Sequence, residues 1–306
     1  MARVVRRLGF AGLILLTLYL FFWWRARPRD AHPFFENLPE FLVIAHQGGD
    51  FLWPSNTLYA FENAVELGVD MLELDVHAAK GGELVVIHDD SLERTTNGMG
   101  LVKEHSLAEL KALDAGYTWS PERKGESFPY RNLGIKIPSL LEVFEAFPDK
   151  PMSIEIKQAE PSITNGLCDL IRAQKMQTKV LVNSFHVKAL EEFRELCPEV
   201  ATATTSKEVK IFFGLSWVFL GRLYTPPAEA FQIPESQAQL KIVTPRFISD
   251  AKRKNLNVQV WTINESADME RLFALGVQGI ISDRPDRVKR VLKQVVGLEL
   301  PEGIPE

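Results

Sequence analysis

The clearest pattern along the chain lies between Met71 and Asp90. Leu72, Leu74 and Val76 alternate with Glu73, Asp75 and His77. A period of two predicts a strand with one apolar and one polar face. The polar face carries two carboxylates and an imidazole, spaced roughly 6–7 Å along the strand. Gly81-Gly82 then permits a tight turn into a second apolar run that ends at His88. An acidic face turned inward is unfavourable unless a cation occupies it.

Other segments repeat a strand–helix rhythm. Phe41 to Ala45 is a short, continuously apolar run, as expected of a strand buried on both faces. It ends in the polar turn His46-Gln47-Gly48-Gly49. Ser55-Asn56-Thr57 offers helix N-cap chemistry, and Leu58, Phe61 and Val65 follow at helical spacing. Further strands are predicted over 154–156, 179–182 and 258–263, with helices over 163–173, 187–196 and 267–275. Leu67-Gly68-Val69 precedes Asp75 as Leu275-Gly276-Val277 precedes Asp283, each a helix closing on glycine before a buried strand that ends in a carboxylate. Alternating β and α units over this length predict an α/β protein, a (β/α)8 TIM barrel with its chemistry at the C-terminal ends of the strands. A doubly wound open sheet is the rival. It is weakened because no Gly-x-Gly-x-x-Gly motif follows the first strand. Residues 91–148 break the rhythm and read as an insertion over a site, with a helix near 106–113.

The first residues follow a different rule. Leu8 to Trp24 carries no charge and lies between Arg3, Arg6, Arg7 and Arg25, Arg27, Arg29. As a helix it spans about 25 Å, enough for a thin bilayer core. Trp23 and Trp24 stand where interfacial aromatics belong, and no small-residue cleavage site follows. We therefore expect a membrane anchor and its flanks over 1–30, a linker over 31–40 and the catalytic barrel over 41–306, the barrel lying on the extracytoplasmic side. The eleven uncharged residues Ile211 to Gly221 are too short to span a bilayer. They read either as a buried barrel helix or as a membrane-docking element made of Phe212, Phe213, Leu215, Trp217 and Phe219.

Composition adds limits. The chain has 306 residues, is 46% apolar and carries a formal charge of -5, so nothing suggests a nucleic-acid surface. Cys168 and Cys197 have no metal-like spacing, and both are expected to be buried thiols. Ser153 to Lys157 alternates again and brings Glu155 and Lys157 to one face. Glu73, Asp75 and Glu155 would form an all-oxygen site suited to Mg2+ or Ca2+ rather than zinc. His46 and His88 at strand ends suit acid–base work on a phosphate ester, and Lys157 suits an anionic substrate.

The ordered set His46-Gln47-Gly48, Ser55-Asn56-Thr57, Glu73-Leu74-Asp75, Val86-Ile87-His88-Asp89, Arg94-Thr95-Thr96, Glu155-Ile156-Lys157, Val260-Trp261-Thr262 and Ser282-Asp283-Arg284-Pro285 resembles the glycerophosphodiester phosphodiesterases. The resemblance spans residues 42–286. It implies a TIM barrel with an insertion after the second strand, a divalent metal on Glu73, Asp75 and Glu155, His46 and His88 as the acid–base pair, and Gln47, Lys157 and Trp261 on the substrate. The expected reaction releases glycerol 3-phosphate and an alcohol. The anchor and the apolar run resemble the membrane-bound lysophospholipase D branch, which takes lysophospholipids from the membrane. An inactive, membrane-tethered binding barrel is the competing class. The sequence departs from the family pattern at Gln47, usually arginine, and at Ser55, usually glutamate. Both charges are absent together, so the local charge is preserved.

Overall fold

The structure is a computed structural model that describes residues 2–121 and 124–296. Residues 122–123 of the expected insertion and 297–306 at the end of the expected barrel domain lie outside the described residues.

The chain begins with α1 (Ala2–Arg25), α2 (Pro33–Glu36), β1 (Leu42–Ala45) and α3 (Leu58–Glu66). The hairpin β2 (Met71–Ala78) and β3 (Leu84–Val86) follows, then α4 (Leu107–Ala112) and α5 (Leu140–Ala146). From there strands and helices alternate as β4 (Met152–Ile156), α6 (Thr164–Ala173), β5 (Val180–Asn183), α7 (Val187–Leu196), β6 (Ala201–Thr202), α8 (Ser206–Trp217) and β7 (Ala230–Pro234). A small exposed hairpin, β8 (Ser236–Gln237) and β9 (Leu240–Lys241), precedes α9 (Pro245–Arg253). The last elements are β10 (Asn257–Trp261), α10 (Ser266–Leu275), β11 (Gly279–Ser282) and α11 (Pro285–Val296).

Eight of these strands run parallel in the order β6-β5-β4-β2-β1-β11-β10-β7. A parallel bridge between Ala203 and Ala230 joins the two ends and closes a barrel. This is the expected (β/α)8 architecture. Leu72, Leu74 and Val76 point outward into the main core under the helices, together with Ile154, Ile156 and Phe144. The opposite face of β2 turns inward, from Met71 at the floor up to Glu73, Asp75 and His77. A polar layer crosses the interior below the site. Gln232 Nε2 donates to Ser153 Oγ and to Gln259 Oε1, each at 2.8 Å.

The insertion begins at the β2–β3 hairpin, earlier than residue 91, and has its own small core of Val85, Ile87, Leu92, Val102, Leu110 and Ile137. It leans over the site's edge, where Trp119 Nε1 donates to Asp50 O at 2.8 Å.

Residues 26–40 lie against the barrel. Phe34 is buried among Leu42, Ile44, Met71, Leu181 and Ile281 and fills the barrel's N-terminal end. Above it, α1 contains a 20-residue stretch, Arg6–Arg25, long and apolar enough to cross a membrane, and none of that stretch is buried.

Two expectations change. Cys168 and Cys197 form a disulfide between the middle of α6 and the C-terminal cap of the neighbouring α7 rather than remaining thiols. Their spacing of 29 residues carries no local signal, because adjacent barrel helices bring the pair together. Phe212 is fully buried, with ring centroids 4.8 and 5.1 Å from Phe231 and Phe247. It is a core residue and not part of a membrane-docking surface, because α8 turns this face onto β7 and α9.

Candidate active site

Three strand ends build the centre. In-register pairing of β2 with β4 sets Asp75 beside Glu155, and Glu73 lies one inward position below Asp75. All three carboxylates are buried. One oxygen from each lies within 4.8 Å of the others. Glu73 Oε2 accepts the backbone N–H of Gln47 at 2.8 Å. Asp75 Oδ2 accepts from Asn56 Nδ2 at 2.8 Å, while Asp75 Oδ1 is buried and accepts no hydrogen bond. Lys157 Nζ lies 2.9 Å from Glu155 Oε1 and 3.2 Å from Asp75 Oδ1, a charge contact that leaves the latter oxygen without hydrogen-bond geometry.

Three buried carboxylates facing one lysine leave uncompensated negative charge. Burial, followed by the neighbouring Asp75, pushes Glu73 up to about 8 and Glu155 up to about 7. Burial lowers Lys157, but Asp75 and Glu155 outweigh it and hold its ammonium charged. Protonation is one remedy for such a cluster and a hard divalent cation is the other. The orphaned Asp75 oxygen and the all-oxygen donor set fit the second.

The two histidines flank the carboxylates with different partners. His46 follows β1, and its Nδ1 lies 2.6 Å from Asp283 Oδ1 at the end of β11. A carboxylate can only accept, so Nδ1 carries the proton. Asn264 Nδ2 holds the other Asp283 oxygen at 2.8 Å. His46 Nε2 lies 4.0 Å from Glu73 Oε2. Burial lowers the His46 pKa, but Glu73 and Asp283 together raise it to about 9. His88 Nδ1 lies 2.6 Å from Asp89 Oδ1, and Arg94 grips the same carboxylate at 2.5 and 2.9 Å. Burial would raise Asp89, but Arg94 and His88 pull it down to about 2. Lys157 Nζ lies 3.1 Å from His88 Nε2. An ammonium has only donors, so this nitrogen presents its lone pair. His46, raised to about 9, is therefore suited to donate from Nε2, and His88 presents an acceptor.

Local backbone explains the first turn. Gln47 adopts φ 52°, which aims its N–H at Glu73. Gly48 sits at φ +84°, and a Cβ there would come 2.8 Å from Ala60 Cβ. Gln47 is buried and reaches the site through its backbone; it is absent from the cavity wall. Ser55 is buried too, and Asn56 N donates to Gln47 O at 2.9 Å. Two neutral side chains at adjoining buried positions remove the need for an ion pair there.

A cavity of about 630 Å3 opens beside these groups. His46, Glu73, His88, Glu155 and Lys157 form one end. Phe185, Val209, Phe213, Leu240, Ile242 and Trp261 line much of the rest, with Asn183, Thr204, Lys210 and Gln232 among them. Trp261 packs edge-to-face on Phe185 with centroids 5.7 Å apart. Among the expected surface residues, Phe213 lines the cavity and Trp217 and Phe219 are exposed, while Leu215 is intermediate. Asp283, Asp89, Asn56 and Asn264 are not among the site residues expected from the sequence, where Asn56 figures only in helix capping. The Gly–Val–Asp echo already marked Asp283, and Asp89 adjoins His88.

Residues 46–287 match the glycerophosphoryl diester phosphodiesterase family. The chain belongs to that family. A glycerophosphodiester phosphodiesterase of Caldanaerobacter subterraneus subsp. tengcongensis is 35% identical over 260 residues, covering 83% of this chain and 98% of that protein. A lysophospholipase D of Rattus norvegicus is 26% identical over 277 residues, covering 82% of this chain and 86% of its own. An Oleispira antarctica phosphodiesterase, solved in complex with the product sn-glycerol-3-phosphate, is 27% identical, with a TM-score of 0.64 over 85% of this chain and 99% of that one. The family member described here thus carries its three carboxylates, two histidines and lysine at the C-terminal mouth of a closed barrel.

Proposed function

We propose that this protein is a metal-dependent phosphodiesterase that hydrolyses glycerophosphodiesters to glycerol 3-phosphate and an alcohol. The observation that carries this reading is the buried Glu73–Asp75–Glu155 cluster, with its orphaned oxygen, between two histidines each held at Nδ1 by a carboxylate. Glu73, Asp75 and Glu155 would hold Mg2+ or Ca2+. When bound, the cation supplies Lewis-acid stabilisation of the charge that develops on phosphate. Lys157 adds a second positive charge at the same place.

His88 takes a proton from the attacking oxygen through Nε2, its imidazole oriented by Asp89 and Arg94. His46, oriented by Asp283, gives a proton to the departing alkoxide as the phosphorus–oxygen bond breaks. The nucleophile is water or the glycerol 2-hydroxyl, and a transient cyclic phosphate distinguishes the two. The apolar residues of the cavity wall favour a second reading as a lysophospholipase D, with Phe185, Phe213, Leu240, Ile242 and Trp261 against an acyl chain. The anchor over 1–30 and the barrel from 41 onward remain our proposal for domain organisation. The disulfide supports a barrel on the oxidising, extracytoplasmic side.

The test uses the full chain, because residues 26–29 bond to the barrel. Glycerophosphocholine and lysophosphatidylcholine are offered with Mg2+, with Ca2+ and with chelator. Release of glycerol 3-phosphate or lysophosphatidate that stops in chelator supports the reading, whereas metal-independent release or none with either ion refutes it. Phe213→Ser should slow the lysolipid more than the water-soluble diester.

A further inference from the structure

The turn after α8 is not absorbed by the site. Trp217, Val218 and Phe219 are 62%, 54% and 72% exposed. The Arg246 guanidinium lies 3.6 Å over the Phe219 ring. A contiguous apolar turn of this size, left open to water, marks a surface that something covers.

What lies next to it names the cover. The 3-10 turn Gly221–Leu223 follows at once and touches the end of α1. Trp23 and Trp24 of α1 face Arg222, Arg253 and Lys254 across a cleft of about 340 Å3. The chain leaving α1 has no slack. Ala26 N still bonds to Phe22 O at 2.9 Å, continuing the helix. Lys254, itself buried, donates from Nζ to Ala26 O and to Arg222 O. Arg29 N donates to Lys254 O at 2.9 Å, Thr225 Oγ1 to Arg27 O at 2.9 Å and Asn255 Nδ2 to Arg29 O at 3.1 Å. Arg29 pairs with Glu229, and Phe34 then plugs the barrel floor. A free linker would let the barrel tumble beneath its anchor. Residues 26–34 form a strap that prevents this.

We propose that the strap holds the barrel on the bilayer in one orientation, with the Trp217–Leu220 turn embedded in the interfacial layer beside α1. Aromatic rings at that depth and arginines around them match the apolar boundary and the lipid phosphates. Phe213 connects the two regions. Its ring lies 5.8 Å from Trp217, and it also lines the active-site cavity. The α8 wall of the cavity therefore faces lipid, which gives an acyl chain a short path inward. This inference rests on α1 occupying a membrane, and the test separates the two claims.

The full chain is placed in phosphatidylcholine nanodiscs with brominated acyl chains, carrying one thiol probe at a time. The native cysteines are paired, so an added one is the labelled thiol. Leu15→Cys reports on α1, Phe219→Cys on the turn and Met99→Cys on the insertion. Met99 is 77% exposed and belongs to the insertion after β2, across the barrel from β6 and β7. The expected result is loss of most emission at 15 and 219 and none at 99. Quenching at 15 without quenching at 219 overturns the orientation alone. No quenching at 15 overturns the anchor and with it the orientation. Equal quenching at 219 and 99 also overturns it. In Lys254→Gln with Arg29→Ala, quenching at 219 should fall while that at 15 stays. Unchanged quenching at 219 would refute the strap.

Discussion

The hydrogen bond between His46 and Asp283 gives the sharpest test of the proposed chemistry. Asp283→Asn keeps the shape and removes the charge. In the native arrangement Asp283 Oδ1 receives His46 Nδ1–H at 2.6 Å, and Oδ2 is held by Asn264 at 2.8 Å. An asparagine can keep one neutral hydrogen bond but cannot balance an imidazolium. A hydrogen bond to a charged group contributes about 1.5–3 kcal/mol, so losing it cuts the protonated fraction of His46, and kcat with it, by up to about 10- to 150-fold on the alkaline side of the profile. The pH dependence gives the sign. Burial lowers the His46 pKa, and Glu73 and then Asp283 raise it to about 9. Removing the Asp283 charge lowers it. A general acid acts only while protonated, so the alkaline limb of kcat moves to lower pH, by about one to two pH units for the same 1.5–3 kcal/mol. With Glu73 and Asp75 engaged by a cation, Asp283 becomes the main support of that charge, so the effect should persist in saturating Mg2+ or Ca2+. The assay is glycerophosphocholine turnover from pH 5 to 10, and Asp89→Asn is the companion. If Asp283→Asn left the alkaline limb in place, or if Asp89→Asn moved that limb equally, the assignment of acid and base would be wrong.

Two further outcomes follow from the same structure. Without metal, folded Glu73 and Glu155 keep protons up to about 8 and about 7, whereas unfolded glutamates release theirs near 4.5, so the cluster's contribution to stability in chelator is full below about 4.5 and is lost as pH rises through 7 and 8. His46, raised to about 9, adds loss of the same sign at higher pH. Thermal scans at pH 6 and pH 9 should show the fall, added cation should reverse it, and Glu73→Gln should flatten it while abolishing turnover; a pH-independent Tm in chelator would contradict the carboxylate cluster. Opening the Cys168–Cys197 disulfide, which closes a 29-residue separation, should cost about 3.5 kcal/mol on the chain-entropy estimate, read as a lower urea midpoint for Cys168→Ser. No change in midpoint would show that the pair is not linked in the folded protein.

Much of the barrel could be read locally. The β2 alternation showed which side chains face inward. The helix-closing glycines Gly68 and Gly276 do adopt positive φ, at 80° and 90°. The strands that escaped are those whose signal is weak. β6 spans two residues, and β7 carries Gln232 inward into the polar layer, where an apolar residue would be expected.

The sequence by itself determined the elements with a strict period and the chemical inventory of the mouth: three carboxylates, two imidazoles and a lysine at strand ends. Those are properties of neighbouring residues, because side-chain direction along a strand or helix follows from backbone geometry alone. Tertiary structure decided the partnerships. His46 meets Asp283 across 237 positions, Cys168 meets Cys197, and α9 and β7 decide that Phe212 is covered while Trp217 is not. Each of these depends on barrel closure, which brings together residues whose separation along the chain carries no periodic signature.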